Sequence, residues 1–404
     1  MQINLGYRTE LRPNKIQITL LKKACGTARV AYNWGLERND NIWFYNQLPH
    51  EPIKYESAID QHRLLNERKQ KDWSWMYEVS KCAPQEALRD LGNAFHNFLK
   101  RPDHFGWPKF KSRRDGVQSF TLTGSIHITS SIQLPTFGAV KLKERCYLPH
   151  GHHVLSATIA GKAGRWFVSV GVRKRIKVQK NKGPIVGVDF NVKNNVVSDG
   201  TVFENPKKLV GTVRRLKRLQ KAIERKTKGS NNRWKARLRY QRLNMRIADA
   251  RKDGLHKMTT WLARTKSVVV IEDLAVRNLT KNHRLAGGIL NGAPAELRRQ
   301  LEYKTKWYGS RLVVAPRNFP STKMCSRCHA VKEHMPISER VYTCEVCGLV
   351  MNRDLNAAKN LEWYATVAGS SPETLNAFRR QEVTASLAVP AVITGGSVYG
   401  HKRP

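Results

Sequence analysis

Four cysteines in two Cys-x-x-Cys pairs constrain the fold of this chain more than any other feature. The pairs are Cys325/Cys328 and Cys344/Cys347, with fifteen residues between them. Each pair can present two thiolates from one tight turn, and the spacing is typical of a zinc ribbon. Because four thiolates leave no coordination position for water, we predict a structural zinc site rather than a catalytic one.

The alternatives to a zinc site are two disulfides or four unrelated buried thiols. The other cysteines, Cys25, Cys82 and Cys146, lie alone in the sequence. The first residues lack the basic and apolar regions of a secretory signal, so we expect an intracellular, reduced protein. His329 and His334 could replace a ligand, although four cysteines already satisfy the metal.

The charge of the chain predicts a polyanionic partner. Lysine and arginine number 72 against 31 acidic residues, which gives a formal net charge of +41. Such an excess opposes compaction unless it is neutralised, and nucleic acid is the usual partner. A hydrophobic content of 40% over 404 residues indicates two or three folded domains rather than a disordered basic tail. The chain contains no run of about 18 apolar residues, so we expect no membrane span.

The spacing of apolar residues changes along the first half of the chain. Residues 3–8 read as a short strand, and helical spacing follows over residues 15–46, 57–69 and 83–100. Between residues 116 and 178 the alternation becomes that of short strands. This order predicts a small β-barrel or sandwich with a helical insertion after its first strand.

A second domain begins near residue 183. The apolar segment 185–190 predicts a strand that contains Asp189, and two more strands follow around the turn Asp199-Gly200. An RNase H-like domain begins with three antiparallel strands, the first of which contains an aspartate, so this order of elements predicts such a domain. A further buried strand, 267–274, contains Glu272, for which a solvent-facing position is the alternative.

Residues 207–252 form a strongly basic segment with 18 lysines or arginines, opposed only by Glu224 and Asp249. Its apolar spacing predicts a helical hairpin that is broken at residues 229–232. Like charges four residues apart destabilise a helix, which favours a phosphate-contacting surface over a merely solvated face. The arginines assigned to nucleic-acid binding are Arg214, Arg215, Arg218 and Arg225.

A third acid, Asp354, begins a helix directly after the ribbon. Ala357, Ala358 and Leu361 follow on its own side, so we expect Asp354 to face the sheet. Three carboxylates at one point repel each other unless divalent metal neutralises them. We therefore predict that Asp189, Glu272 and Asp354 hold two Mg²⁺ (or Mn²⁺) ions about 4 Å apart for phosphodiester hydrolysis, with Asp189 bridging them. Asp199 and Asp273 are weaker candidates.

These segments, combined, resemble a known family. The chain is similar to the TnpB (OrfB) family of insertion sequences in the segments 187–191, 271–274 and 352–358 and in the two cysteine pairs. Its members are RNA-guided nucleases that are regarded as ancestors of the type V CRISPR effectors. The resemblance covers roughly residues 5–365.

The resemblance implies a multidomain α+β fold. Its parts would be a WED β-barrel, an inserted helical REC domain, an RNase H-like (RuvC) α/β nuclease domain and an inserted zinc ribbon. The tail is rich in glycine, serine, threonine and valine, and we expect it to be disordered or to become ordered on RNA. The implied bounds are 1–12 plus 105–182 (WED), 13–104 (REC), 183–319 plus 351–366 (RuvC), 320–350 (ribbon) and 367–404 (tail).

The resemblance also implies how a target is chosen. One protein would bind one transposon-derived guide RNA, and base pairing would select the double-stranded or single-stranded DNA target that is cut. REC and WED would read a short adjacent motif, at positions matched here by Tyr55, Lys81, Gln85 and Thr121. Ile59, Cys82 and Leu122 depart from the residues seen in a better-known member, so the resemblance implies no particular adjacent motif. The protein would act in the prokaryotic cytoplasm, near the nucleoid, and promote transposon retention.

Three alternative functions remain at this point. The family includes RNA-guided repressors that have lost nuclease acids, whereas all three acids are present here. A DDE-type transposase would share the RNase H-like fold, but its last acid is usually a glutamate. A non-catalytic RNA-binding zinc protein would explain the charge and the cysteines alone.

Overall fold

The structure is a computed structural model, which describes residues 1–113, 118–144, 147–148, 153–191, 194–204, 209–281, 292–336 and 338–368. Cys146, the Gly287-Gly288 loop and residues 369–404 of the predicted disordered tail lie outside these ranges. Contacts divide the chain into two compact units. One contains Met1–Lys177 and Leu219–Arg242, and the other contains Val178–Arg218 and Leu243–Pro404.

A seven-stranded antiparallel sheet forms the centre of the first unit, in the order β2-β6-β7-β1-β5-β4-β3. β1 pairs with both β7 and β5, although all the helices of the insertion separate it from β2 in sequence. The strand β4 was not predicted. The strands are β1 (Gln2–Arg12), β2 (Gln118–Leu122), β3 (His127–Ile128), β4 (Ser131–Leu134), β5 (Gly138–Leu142), β6 (Val154–Lys162) and β7 (Arg165–Arg175).

The helical insertion comprises α1 (Lys15–Tyr45), α2 (Ala58–Lys71), a 3₁₀ helix (Ser74–Glu78) and α3 (Cys82–Lys100). Capping boxes start α1 and α2, where the side chains of the N-cap and of the residue three positions on satisfy otherwise unpaired backbone groups. The buried stripe of α1 follows the predicted helical spacing and packs in one core with α3 and the sheet. The mixed multidomain α+β fold is thus confirmed.

The second unit is built on a five-stranded sheet in the order β10-β9-β8-β11-β12. β8 pairs antiparallel with β9 and parallel with β11, which is the predicted RNase H-like beginning followed by parallel strands. The strands are β8 (Ile185–Phe190), β9 (Asn194–Val197), β10 (Val202–Glu204), β11 (Val268–Glu272) and β12 (Arg311–Ala315).

Helices follow between and after these strands. They are α4 (Leu209–Glu224), α5 (Asn231–Thr265), α6 (Val276–Leu279), α7 (Pro294–Tyr308) and α8 (Arg353–Ala368). The predicted break at residues 229–232 is confirmed, because α5 begins at Asn231. The second helix continues beyond the basic segment: α5 runs unbroken through Gly254 to Thr265, since buried Leu255, Met258 and Leu262 anchor its last turns.

The zinc-ribbon segment contains a short antiparallel hairpin of β13 (Val341–Thr343) and β14 (Val350–Asn352). β14 ends at Asn352, and α8 begins at the next residue, so the ribbon leads directly into the last helix. Among the helices that the structure describes, none combines the length and the apolar character needed to cross a membrane.

Candidate functional site

The alternation of side chains along β8 sends Asp189 to one face of the five-stranded sheet. Val186 and Val188 pack in a core with residues of α5 and α7, whereas Ile185 packs in the core that contains α8. Residues two apart share a face, so Gly187 and Asp189 lie on the α8 face with Ile185. Asp189 is buried, with 7% of its surface exposed.

The neighbouring strand β11 places Glu272 on the same face. Val269 and Ile271 pack towards α5 and α7, whereas Val268 and Val270 lie in the core with α8. β8 and β11 pair as Ile185–Val268 and Gly187–Val270. The same register, continued by two residues, sets Asp189 beside Glu272 at the carboxyl ends of two adjacent parallel strands.

Asp354 approaches these two acids from α8. It lies in the first turn, on the stripe that continues through Ala358, Leu361 and Ala365, and the last two pack on β11. The side chain of Asn352 caps the helix by accepting hydrogen bonds from the amides of Asp354 (2.9 Å) and Leu355 (3.2 Å). Asp354 therefore sits on the predicted face of a helix with a well-defined start.

Gly187 permits the close approach of α8 to the sheet. A Cβ atom at this position would lie 2.0 Å from the carbonyl oxygen of Ala358 and 2.5 Å from the amide nitrogen of Glu362. No side chain fits in that space, so the backbone of α8 rests on the backbone of β8 only two residues before Asp189.

The three acids create a strongly negative, poorly solvated site. Burial and the neighbouring charges of Glu272 and Asp354 raise the pKa of Asp189 to about 8. The Asn191 side chain opposes this shift by donating to Asp189 Oδ2 at 2.7 Å. Burial likewise raises the pKa of Glu272, against the hydrogen bond that Ser321 donates to it. Asp354 lies 3.6 Å from the guanidinium of Arg353.

The two weaker candidates, Asp199 and Asp273, form close ion pairs with lysine or arginine. Asp273 pairs with Arg298 at 2.8 Å and Arg317 at 3.0 Å, and Asp199 pairs with Lys266 at 2.7 Å. Asp189 has an amide donor and two further carboxylates around it, so its environment suits a divalent cation with oxygen ligands.

The four cysteines meet in one cluster, as predicted. Their sulfur atoms all lie within 4.8 Å of one another, and no other such group of potential ligands occurs in the described ranges. Cys325 and Cys347 are 3.6 Å apart, and Cys328 and Cys344 are 3.5 Å apart. Zinc with sulfur ligands at about 2.3 Å would separate them by about 3.8 Å, so the cluster fits a structural metal such as zinc, and the four thiols form no disulfides.

Neither histidine near the cluster belongs to it. His329 takes a positive φ of 60° directly after the first pair, as Gly348 does at 70° after the second. Its ring stacks on Trp363 of α8, with 4.2 Å between centroids. The left-handed backbone conformation after the second cysteine pair is therefore taken by a glycine, and the one after the first pair by a histidine.

Three residues that join the ribbon to the acids were not predicted from the sequence. Asn356 and Asn360, on α8, are fully buried and bind backbone carbonyls that precede Cys325. Ser321, in the same stretch, donates to Glu272. Two asparagines four residues apart in a helix were the available signal, because asparagine is a poor former of helix interiors.

Three of the four residues expected to contact the adjacent motif lie around one place. Lys81 precedes α3 and Gln85 lies one turn later, while Cys82 Sγ contacts the carbonyl of Thr123 at 3.5 Å, just beyond Thr121 on β2. Tyr55 lies in the segment between α1 and α2 with 43% of its surface exposed.

The four arginines assigned to nucleic-acid binding lie on α4 or directly after it. Arg214, Arg215 and Arg218 are exposed on the helix, and Arg225 is exposed one residue beyond its end. Their charges are therefore available to a polyanion.

Three family models match this chain. "Probable transposase" (OrfB of IS605) matches residues 167–283, "Cas12f1-like, TNB domain" matches residues 295–361, and "Helix-turn-helix domain" (OrfB of IS605) matches residues 1–46. In this structure residues 1–46 form β1 and the single long helix α1.

Curated relatives match nearly the whole chain. A "Putative RNA-guided DNA endonuclease" of Streptomyces pristinaespiralis is 36% identical over 89% of both chains. A protein of the same description from Escherichia coli K12, InsQ, is 30% identical over 88% of this chain and 91% of its own. A "TnpB-like protein" of Methanocaldococcus jannaschii is 28% identical over 50% of this chain and 76% of its own.

A solved structure shares the fold. The protein in the "Cryo-EM structure of the Cas12f1-sgRNA-target DNA complex" aligns with a TM-score of 0.54 over 89% of this chain and 99% of its own. At 12% sequence identity this likeness concerns the fold alone.

Proposed function

We propose, since this chain belongs to the TnpB (OrfB) family of RNA-guided DNA endonucleases, that it cuts DNA by hydrolysis at Asp189, Glu272 and Asp354. One observation carries the proposal: these three carboxylates share the layer between β8, β11 and α8. Burying three like-charged carboxylates together destabilises the fold. Such a cost is typical of a catalytic site, where bound metal ions would neutralise the charges.

Each acid has a distinct part in the proposed site. Asp189 lies at the centre, and Asn191 holds one of its oxygens, while Glu272 and Asp354 flank it from a strand and a helix. Divalent cations held there, Mg²⁺ or Mn²⁺, would supply the charge neutralisation and water activation that phosphodiester hydrolysis needs. Because Glu272 and Asp354 would each bind a different ion, their carboxylates need not lie as close to each other as the four sulfur atoms of the cysteine cluster do.

Guide and target would be bound by the basic surfaces. The net charge of +41 and the exposed arginines of α4 support a guide RNA of transposon origin, held by one protein. Lys81, Gln85 and Thr121, with Tyr55, would read the short duplex motif beside a double-stranded target, whose unwound strand is then cut. Such cutting would promote transposon retention, in the prokaryotic cytoplasm near the nucleoid.

The test is reconstitution with guide RNA, a matching plasmid and Mg²⁺. We expect double-strand cuts that depend on guide complementarity, and we expect Asp189→Ala to lower the rate on the order of 10³-fold or more. Asp253→Ala is the matched control, because Asp253 is an exposed acid that pairs only with Lys257 in the described structure.

Other outcomes would point to the other functions. Guided binding without cutting, unchanged by Asp189→Ala, would identify a repressor. Strand-transfer products without RNA would identify a transposase, and RNA binding with no metal-dependent cutting would identify a non-catalytic zinc protein.

A further inference from the structure

The segment that enters the zinc ribbon touches the strand that carries Glu272. Ser321 is buried, with 3% of its surface exposed, and its hydroxyl donates a hydrogen bond to Glu272 Oε1. The two residues are 49 positions apart in sequence. Since one carboxylate oxygen is occupied by this donor, the orientation of the other oxygen is fixed as well.

The same segment also holds the helix that carries Asp354. Asn360 Nδ2 donates to the carbonyls of Ser321 (2.7 Å) and Met324 (2.6 Å). Asn356 Nδ2 donates to the carbonyl of Met324 at 2.7 Å, and its Oδ1 accepts from the amide of Ser326 at 2.9 Å. Both asparagines are fully buried, so these bonds form away from solvent and leave little freedom of movement.

Zinc held by the four cysteines would act on the middle of this set of bonds. Cys325 lies between Met324 and Ser326, the two residues that Asn356 holds. At the other end of the ribbon, β14 runs into α8 at Asn352, two residues before Asp354. A metal bound by this cysteine cluster would therefore hold both the segment that contacts Glu272 and the entry to the helix of Asp354.

We propose that Ser321, Asn356 and Asn360 are positioning residues, through which the zinc ribbon sets the separation of Glu272 and Asp354. This proposal rests on the proposed function, because it concerns the metal affinity of the same acids. Carboxylates that bind divalent ions must be held within about 0.5 Å of the productive geometry, and such outer partners typically govern metal affinity by 10–100-fold.

The test measures metal binding directly, with Mn²⁺ as the probe. Purified ribonucleoprotein that retains its zinc is titrated with Mn²⁺, and bound ion is followed by electron paramagnetic resonance. We expect Ser321→Ala to raise the apparent dissociation constant by roughly 10-fold or more, with guide-RNA affinity unchanged. The same variant should need more Mg²⁺ for half-maximal cleavage and should regain its rate at high Mg²⁺.

Ser310→Ala is the matched control. It removes another serine hydroxyl of the same unit, which donates to the carbonyl of Ala263 at 3.2 Å, and it should leave Mn²⁺ affinity unchanged. If Ser321 has only a structural role, Ser321→Ala should lower the melting temperature by about as much as Ser310→Ala does and should leave the affinity for Mn²⁺ unchanged.

A second variant tests the part of the zinc ribbon. Cys344→Ser acts on the pair remote from Ser321, and we expect it to lose zinc and weaken Mn²⁺ binding while guide RNA remains bound. If Ser321→Ala binds Mn²⁺ as the unaltered protein does, the positioning role is wrong, although Asp189→Ala can still abolish cutting. If Asp189→Ala itself binds Mn²⁺ and cuts normally, the proposed function fails instead.

Discussion

Asp189 combines burial with two like-charged neighbours, so its ionisation works against the fold when no cation is present. Its pKa rises from 3.8 to about 8 in the folded protein. An acid that binds its proton more tightly when folded makes the fold less stable as pH rises between those two values. Above the upper value the loss is complete, and it amounts to about 1.4 kcal/mol for each unit of pKa difference.

Asp189→Asn should therefore stabilise the protein in the absence of Mg²⁺. At pH 8 we expect the melting temperature of the second unit to rise by roughly 10 °C or more, and by less at pH 5, where folded Asp189 is still protonated. Excess Mg²⁺ should raise the melting temperature of the unaltered protein but not that of the variant. Differential scanning calorimetry of the zinc-loaded protein measures this, and a variant that melts lower at pH 8 without Mg²⁺ would contradict it.

The residues of the site differ in how far sequence could find them. Asp189 and Asp354 lie in regular elements, where the alternation of a strand and the stripe of a helix fix which face each side chain takes. Ser321 and Asn360 bind through contacts 49 and 39 residues away in sequence, in a segment without periodicity. Their roles follow only from the three-dimensional path of the ribbon.

At the scale of elements, the packing of α8 on β8 depends on the missing side chain of Gly187. Gly187→Ala would place a methyl group 2.0 Å from the carbonyl of Ala358, where backbone rather than a flexible side chain must move. We expect α8 to shift away from the sheet, at a loss of ~3 kcal/mol or more in unfolding free energy. Because Asp354 moves with α8, Mn²⁺ affinity should fall as well.

Gly254→Ala gives the matched control for this substitution. Gly254 lies inside α5, and an added Cβ would meet nothing within 4 Å. Alanine there should stabilise the helix by ~0.5–1 kcal/mol, since glycine loses more backbone entropy on folding. Chemical denaturation of both variants measures the pair, and equal effects of the two substitutions would show that contact with α8 is not the cause.

The same glycine lies where α5 continues past the end of the basic segment 207–252. Local propensity alone favours a helix end near Gly254, yet the helix continues there without a break. A helical glycine is unfavourable by about 1 kcal/mol, and burial of neighbours such as Leu255 and Met258 outweighs that. Residues distant in sequence stabilise this part of α5 by packing against it. The local spacing of apolar residues gives no information about those partners.

At the scale of the whole molecule, the order of elements was predictable and the division into units was not. Strand periodicity, helical spacing and the cysteine pairs predict the α+β architecture because each is local. The basic segment 207–252 reads as one hairpin, yet contacts assign residues 219–242 to one unit and its flanks to the other. Such a division depends on tertiary contacts, such as that of Arg242 Nε with the carbonyl of Ala163 at 3.2 Å.

Binding of guide RNA should depend steeply on salt, and the exposed arginines of α4 should account for part of that dependence. Each phosphate neutralised contributes a slope of about 0.7–0.9 to the fall of log affinity with log salt. Replacing four arginines by glutamine should lower the slope by roughly 3 and weaken binding most at low salt. The variant combines Arg214→Gln, Arg215→Gln, Arg218→Gln and Arg225→Gln.

A second quadruple variant separates location from total charge. It removes four cations that already pair with carboxylates, so it lowers the net charge of +41 by the same amount. Because each of those cations already has a carboxylate within ion-pair distance, it contributes less free charge to phosphate binding, and the salt slope should change much less. Filter-binding titrations between 50 and about 300 mM salt compare the two proteins over the range where counterion release dominates. Equal slopes would mean that the whole charge of the molecule, rather than the surface of α4, holds the RNA. The control substitutions are Lys23→Gln, Arg89→Gln, Lys143→Gln and Lys257→Gln.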